Sequence, residues 1–189
     1  SVGEVAAAWA VGALSLEQAV DVICARSAAQ ARTAGAGRMA AVGLSEPAAR
    51  EWLAQRFPDL EIAGVNSPKN ITVSGPLESL ERFGAEARKQ KVVFRLLDLD
   101  YAFHSQAMDP IKAVLLNDLA TLKPQTQGQQ KLVSTVTGRE MDAASLTAEY
   151  WWDNVRKPVQ FEKAIDTLAQ QGCRIFIEIS PHAILRRYI

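Results

Sequence analysis

Residues 38–97, RMAAVGLSEPAAREWLAQRFPDLEIAGVNSPKNITVSGPLESLERFGAEARKQKVVFRLL, alternate between two hydrophobic rhythms. Arg38–Leu44 reads as a strand, and Glu46–Arg56 as a helix with Pro47 in its first turn and Trp52 and Leu53 on its apolar side. Glu61–Val65 and Ile71–Ser74 read as two short strands joined by the turn residues Asn66, Ser67 and Pro68. Leu77–Lys89 is a second helix and Val92–Leu97 a last strand. The order β-α-β-β-α-β is the ferredoxin-like arrangement, so residues 38–97 are expected to form a small inserted subdomain.

On the N-terminal side, Gly3–Val11 is an Ala-rich helix broken at Gly12. Ser15 opens another, with Leu16, Ala19, Val20 and Ile23 at helical spacing and Gln18 placed to complete a capping box. On the C-terminal side, Pro110–Leu122 reads as a helix, KPQTQGQQ (123–130) as a loop and Leu132–Val136 as a strand. Ala144–Trp152 and Val159–Gln170 read as helices separated by Pro158. Arg174–Ile179, RIFIEI, is a continuous apolar run suited to the buried centre of a parallel sheet, stopped by Ser180-Pro181. Residues 1–37 and 98–189 are thus expected to make one larger α/β subdomain around the inserted one.

The chain has 189 residues, 48% hydrophobic and 22% charged, an ordinary composition for a globular domain. Acidic and basic side chains balance at 21 each, so no net field draws nucleic acid or a membrane surface. No apolar run approaches the roughly 18 residues of a membrane span. The opening SVGEVAAAWAVGAL lacks the basic start of a signal peptide, and the chain begins without Met on a helical pattern, so a preceding part of the fold is expected. Cys24 and Cys173 lie in apolar segments and read as two reduced core thiols, consistent with a cytoplasmic location. With two cysteines and two histidines, no zinc site is expected.

Few residues suggest chemistry. Ser1-Val2-Gly3-Glu4 leads directly into a helix: Ser1 is either an ordinary N-cap or the nucleophile of a tight elbow whose helix N-terminus supports a developing anion. Arg26 shares a flank of its helix with Ala19 and Val22. Buried there, it needs an anion, either a protein carboxylate or a substrate carboxylate gripped by the planar guanidinium. His104, in Tyr101-Ala102-Phe103-His104-Ser105, follows a run that reads as interior and is either structural or a proton carrier.

Taken in order, these segments resemble the malonyl/methylmalonyl acyltransferase family, which includes the acyltransferase domains of modular polyketide synthases. The family's GHSxGE elbow is matched in its last four positions by Ser1-Val2-Gly3-Glu4. GRMAAV (37–42), NSPKNITVSG (66–75), YAFHSQAMDP (101–110), YWWDNVRKPVQF (150–161) and FIEISPHAIL (176–185) each resemble a family block, and together they cover essentially the whole chain. The resemblance implies an α/β-hydrolase-like parallel-sheet core, part of which precedes the elbow, with a ferredoxin-like insertion. It also implies a ping-pong transfer in which Ser1 is acylated from malonyl-CoA and His104 moves the proton. The acceptor would be the phosphopantetheine thiol of an acyl carrier protein in a chain with neighbouring synthase domains, and no tightly bound cofactor or metal is implied. Arg26 would bind the malonyl carboxylate, the Val2 N–H would serve the oxyanion, and Asn154 would orient His104 through its backbone or side chain.

Extender choice is read at Val2 and at Tyr101 and Phe103. Malonyl members tend towards HAFH and methylmalonyl members towards YASH, whereas this chain has YAFH. The ring of Phe103 would crowd an α-methyl group, so malonyl is expected; a methylmalonyl-selective domain and a free-standing transacylase of fatty-acid synthesis are the alternatives. An N-terminal-nucleophile hydrolase fits poorly, because that nucleophile begins a strand and the mechanism leaves His104 idle. A docking module without catalysis would be indifferent to Ser1→Ala and His104→Ala.

Overall fold

The computed structural model describes residues 1–125, 130–180 and 182–189; residues 126–129 of the expected loop, and Pro181, lie outside the described residues. The chain opens with α1 (Gly3–Ala10) and α2 (Leu16–Ala31). It continues through β1 (Arg38–Val42), α3 (Glu46–Arg56), β2 (Glu61–Ser67), β3 (Asn70–Gly75), α4 (Leu77–Lys89) and β4 (Phe94–Leu96). A 3-10 turn at Gln106–Ile111 runs into α5 (Lys112–Asp118); a hairpin of β5 (Leu132–Val133) and β6 (Glu140–Met141) follows. α6 (Ala148–Arg156), β7 (Val159–Gln160) and α7 (Phe161–Gln170) complete the order, before a last 3-10 turn at Arg186–Tyr188.

Strands β4-β1-β3-β2 lie side by side in that order, each antiparallel to its neighbour. This is the sheet of a split β-α-β pair. Alternation sends Val42, Ile71 and Val73 into a core that α3 and α4 close with Leu53, Leu80, Phe83 and Ala87. Phe83 is its hub, with ring centroids of Phe57 at 5.1 Å and Trp52 at 5.6 Å. The sheet does not stop at residue 97. β7 adds a parallel fifth strand to β2, pairing Gly64 with Val159 and Val65 with Gln160.

A second core gathers Val5, Val22, Leu115, Trp151 and Val155 from α1, α2, α5 and α6, with Met108 from the 3-10 turn and Leu146 from the segment before α6. The Ser15 hydroxyl accepts the Gln18 N–H at 3.2 Å while Gln18 Oε1 accepts the Ser15 N–H at 2.8 Å, the reciprocal capping box that starts α2.

Several expected elements differ. Arg174–Ile179 forms no strand: Ile175, Ile177 and Ile179 are exposed, and no strand among the described residues lies beside them. An apolar run becomes a strand only where another strand supplies the ladder. Leu132–Val133 pairs with β6 in a hairpin, so the only parallel pairing among the described residues is β2–β7. The helix expected at 144–152 begins four residues later, because Thr147 caps it by accepting the Tyr150 N–H at 3.4 Å. Pro110, which lacks an N–H, sits inside the 3-10 turn that precedes α5. Both cysteines are exposed and free, contrary to the core reading; Cys24 falls between Val22 and Arg26 on the opposite side of α2.

The two cores meet at a close approach of backbone. Gly37 has φ +153°, and a Cβ there would stand 2.4 Å from the Gly75 carbonyl oxygen and 2.9 Å from Ala102 Cβ. Only glycine fits where backbone comes this near. Gly37→Ala is expected to destabilise the protein by about 2 kcal/mol or more, seen as a lowered midpoint in chemical denaturation. An unchanged midpoint would show that the strand end relaxes freely.

Candidate active site

Ser1 stands at the start of α1, where its carbonyl accepts the Glu4 N–H at 3.1 Å. The Val2 N–H lies in that first turn, among the helix donors with no intrahelical acceptor. A Cβ on Gly3 would meet nothing within 4 Å, so crowding among the described residues does not demand glycine there.

His104 lies in the segment between β4 and the 3-10 turn, with φ +60°, a left-handed conformation uncommon for a side-chain-bearing residue. Such strain persists where surrounding contacts over-determine it. Here the Ser105 hydroxyl donates to the Ala102 carbonyl at 2.7 Å and caps the following turn. The buried imidazole has two partners. Nδ1 is 2.8 Å from the Lys157 carbonyl oxygen, which can only accept, so Nδ1 carries the proton. Nε2 is then an acceptor, and it faces Ser1 Oγ at 3.1 Å. This is the arrangement of a hydroxyl nucleophile and its general base, with a third group fixing the tautomer.

The third group is not Asn154. The Asn154 amide turns the other way: Oδ1 accepts Arg26 NH1 at 2.7 Å, and Nδ2 donates to Glu4 Oε2 at 3.0 Å. The orienting acceptor sits three residues further on, at the end of α6, as the main-chain carbonyl of Lys157. A main-chain acceptor leaves no mark on the residue type, so sequence reasoning had no signal for it.

Arg26 lies on the face of α2 that also buries Ala19, Val22 and Ala29, and is 3% exposed. NH1 also approaches the Ser1 carbonyl at 3.5 Å, and Nε is buried with no hydrogen-bond partner among the described residues. Burial lowers its pKa to about 10, which leaves it charged at neutral pH. Ser1, Arg26, His104 and Asn154 are thus brought together from four separate segments. Tyr101 and Phe103 stack at 4.8 Å between centroids and 8° between planes, immediately before His104.

A family model described as "Acyl transferase domain" matches residues 1–189. The chain belongs to this acyl transferase domain family. Over 186 residues it is 41% identical to the spectinabilin polyketide synthase system protein NorA' of Streptomyces orinoci, spanning 98% of this chain and 5% of that protein. The acyltransferase domain from module 8 of the salinomycin polyketide synthase superimposes with TM-score 0.87 at 36% identity, over 90% of this chain and 40% of that one. A loading acyltransferase from the avermectin modular polyketide synthase gives TM-score 0.90 at 34% identity, over 99% and 60%. The α/β class read from the sequence is that of these neighbours. The chain spans about one-twentieth of the curated relative's length and from 40% to 60% of these solved chains.

Among the described residues, no group of three or more His, Cys, Asp or Glu side chains gathers to hold a metal ion, and no helix is long and apolar enough to cross a membrane. Burial pushes the His104 imidazole below its ordinary value, against the opposing pull of the Lys157 carbonyl. The domain therefore holds a neutral base ready at physiological pH.

This shift makes stability depend on pH. Above about 6.5, the usual histidine value, neither folded nor unfolded His104 binds a proton. Below that value, and down to the lowered value of the buried ring, the unfolded chain takes up a proton that the folded site refuses. Stability is therefore lost as pH falls through this window, by up to about 1.4 kcal/mol per pH unit from this group. Denaturation midpoints measured from neutral to acid pH should flatten in His104→Gln relative to wild type. Parallel curves for the two proteins would show that His104 titrates normally in the fold.

Proposed function

We propose that the domain transfers a malonyl group from CoA to the phosphopantetheine thiol of an acyl carrier protein, within a modular polyketide synthase. The observation that carries this reading is the Ser1 Oγ–His104 Nε2 contact at 3.1 Å with Arg26 held beside the Ser1 backbone. In the first half-reaction Ser1 Oγ attacks the thioester carbonyl as its proton passes to His104 Nε2. The tetrahedral oxyanion is met by the Val2 N–H at the positive end of α1. Collapse breaks the C–S bond, and His104 returns the proton to the departing CoA thiolate. In the second half the carrier's thiol gives its proton to His104 and attacks the acyl-serine. The Ser1 C–O bond breaks, and Ser1 recovers the proton from His104.

Arg26 selects the acyl group. Its buried guanidinium keeps unsatisfied donor capacity, which a free carboxylate fills bidentately and a monocarboxylic acyl group cannot. No resident cofactor is needed for these steps, since malonyl-CoA is consumed as substrate. The relatives' membership of much longer synthases supports neighbouring synthase domains as partners.

Intact-mass analysis of the full-length protein with malonyl-CoA should show a malonyl adduct that is absent in Ser1→Ala, and Arg26→Ala should lower kcat/KM for malonyl-CoA by about 100-fold. An adduct persisting in Ser1→Ala would place the nucleophile elsewhere.

The stacked Tyr101 and Phe103 rings support malonyl over methylmalonyl, because Tyr101 backs the Phe103 ring and limits its retreat from an α-methyl group. Discrimination of one methyl is worth roughly 1–3 kcal/mol. Phe103→Ser is expected to raise the methylmalonyl-to-malonyl ratio of kcat/KM by about tenfold. A wild-type domain that prefers methylmalonyl-CoA would refute this role for the ring.

A further inference from the structure

Arg26 lies close to a buried carboxylate, yet the two do not touch. Between them stands the Asn154 amide, whose oxygen accepts from the guanidinium at 2.7 Å and whose nitrogen donates to Glu4 at 3.0 Å. Glu4 is 6% exposed and takes the rest of its hydrogen bonds from elsewhere. The Thr135 N–H reaches its two oxygens at 3.3 and 3.2 Å, and the hydroxyls of Thr135 and Tyr150 donate to it as well. Tyr150 in turn accepts from the Ser134 hydroxyl at 2.7 Å. Burial and the Glu4 charge together push the Tyr150 phenol well above its ordinary pKa, so it remains a donor.

These partners fix the amide's orientation. A flipped Asn154 would set its NH2 against the guanidinium and its oxygen against the carboxylate, two repulsive contacts in a site without solvent. Glu4 supplies the compensating charge that a buried cation requires, and its field raises the Arg26 pKa against the effect of burial. Because that charge acts through a neutral amide, no carboxylate among the described residues occupies the guanidinium fork, and Nε has no partner among them either.

We propose that Asn154 is a specificity-determining positioning residue: a neutral spacer, locked by Glu4, that holds Arg26 without neutralising it and so reserves the guanidinium for a substrate carboxylate. The proposal rests on the reading that Arg26 binds the malonyl carboxylate. It implies that moving the negative charge one position along the chain Glu4–Asn154–Arg26 abolishes selection, although total charge is kept.

The exchange variant Glu4→Gln/Asn154→Asp makes that move in the full-length protein. Its kcat/KM for malonyl-CoA and for acetyl-CoA gives a selectivity ratio. That ratio should fall by at least about 30-fold relative to wild type, chiefly through a higher KM for malonyl-CoA. A ratio within about threefold of wild type overturns the proposal. Should the exchange variant lack a cooperative melt, Asn154→Asp alone is read by the same criterion. Arg26→Ala separates the two levels. If it leaves the ratio at the wild-type value, the carboxylate binds elsewhere and the underlying reading fails, and the proposal with it. If Arg26→Ala collapses the ratio and the exchange does not, the spacer role alone falls.

Discussion

A guanidinium enclosed by protein, directly behind the Ser1 backbone, is the constraint to which the rest of this site answers. An unpaired buried cation is expensive, and a fully paired one has nothing left to offer a ligand. The structure meets both conditions by distance. The carboxylate of Glu4 is near enough to compensate the charge of Arg26, while the Asn154 amide keeps the two apart. Thr135 and Tyr150, the latter bonded to Ser134, satisfy Glu4 in this arrangement, so the cluster fixes the charge nearest the cation.

The Ser1–His104 contact follows a different logic, one of main chain more than side chain. His104 is held in a left-handed conformation, its tautomer is set by a carbonyl, and the approach of Gly37 to Gly75 and Ala102 brings its segment against the small sheet. Burial keeps the ring neutral, which is what a proton acceptor for Ser1 requires.

Legibility from sequence divides along the same line. Side-chain signals were readable: the Ser15–Gln18 cap, the bounds of α3 and α4, and the periodicity that buries Arg26, whereas the reading of Ser1 and His104 came from the family resemblance. Features made of backbone were not. Asn154 was legible as a site residue but not as to its partner, because an amide satisfies either neighbour equally well on paper. The carbonyl of Lys157 carries no signature at all. Arg174–Ile179 has the composition of a buried strand but no strand partner among the described residues, since a ladder depends on what lies alongside, which composition does not encode.

The fifth strand has a mechanical consequence. Lys157 stands two residues before Val159, which pairs with Gly64 of β2, while the next residue's N–H, that of Gln160, donates to the Thr135 carbonyl at 2.7 Å. Thr135 is also the residue whose N–H and hydroxyl grip Glu4. One short segment thus ties the acceptor of His104 to the small sheet on one side and to the residue that anchors Glu4 on the other. A rotation of the small sheet that preserved the Gly64–Val159 pairing would transmit through this linkage to His104 and Arg26 together, so the two side chains share a single mechanical coupling.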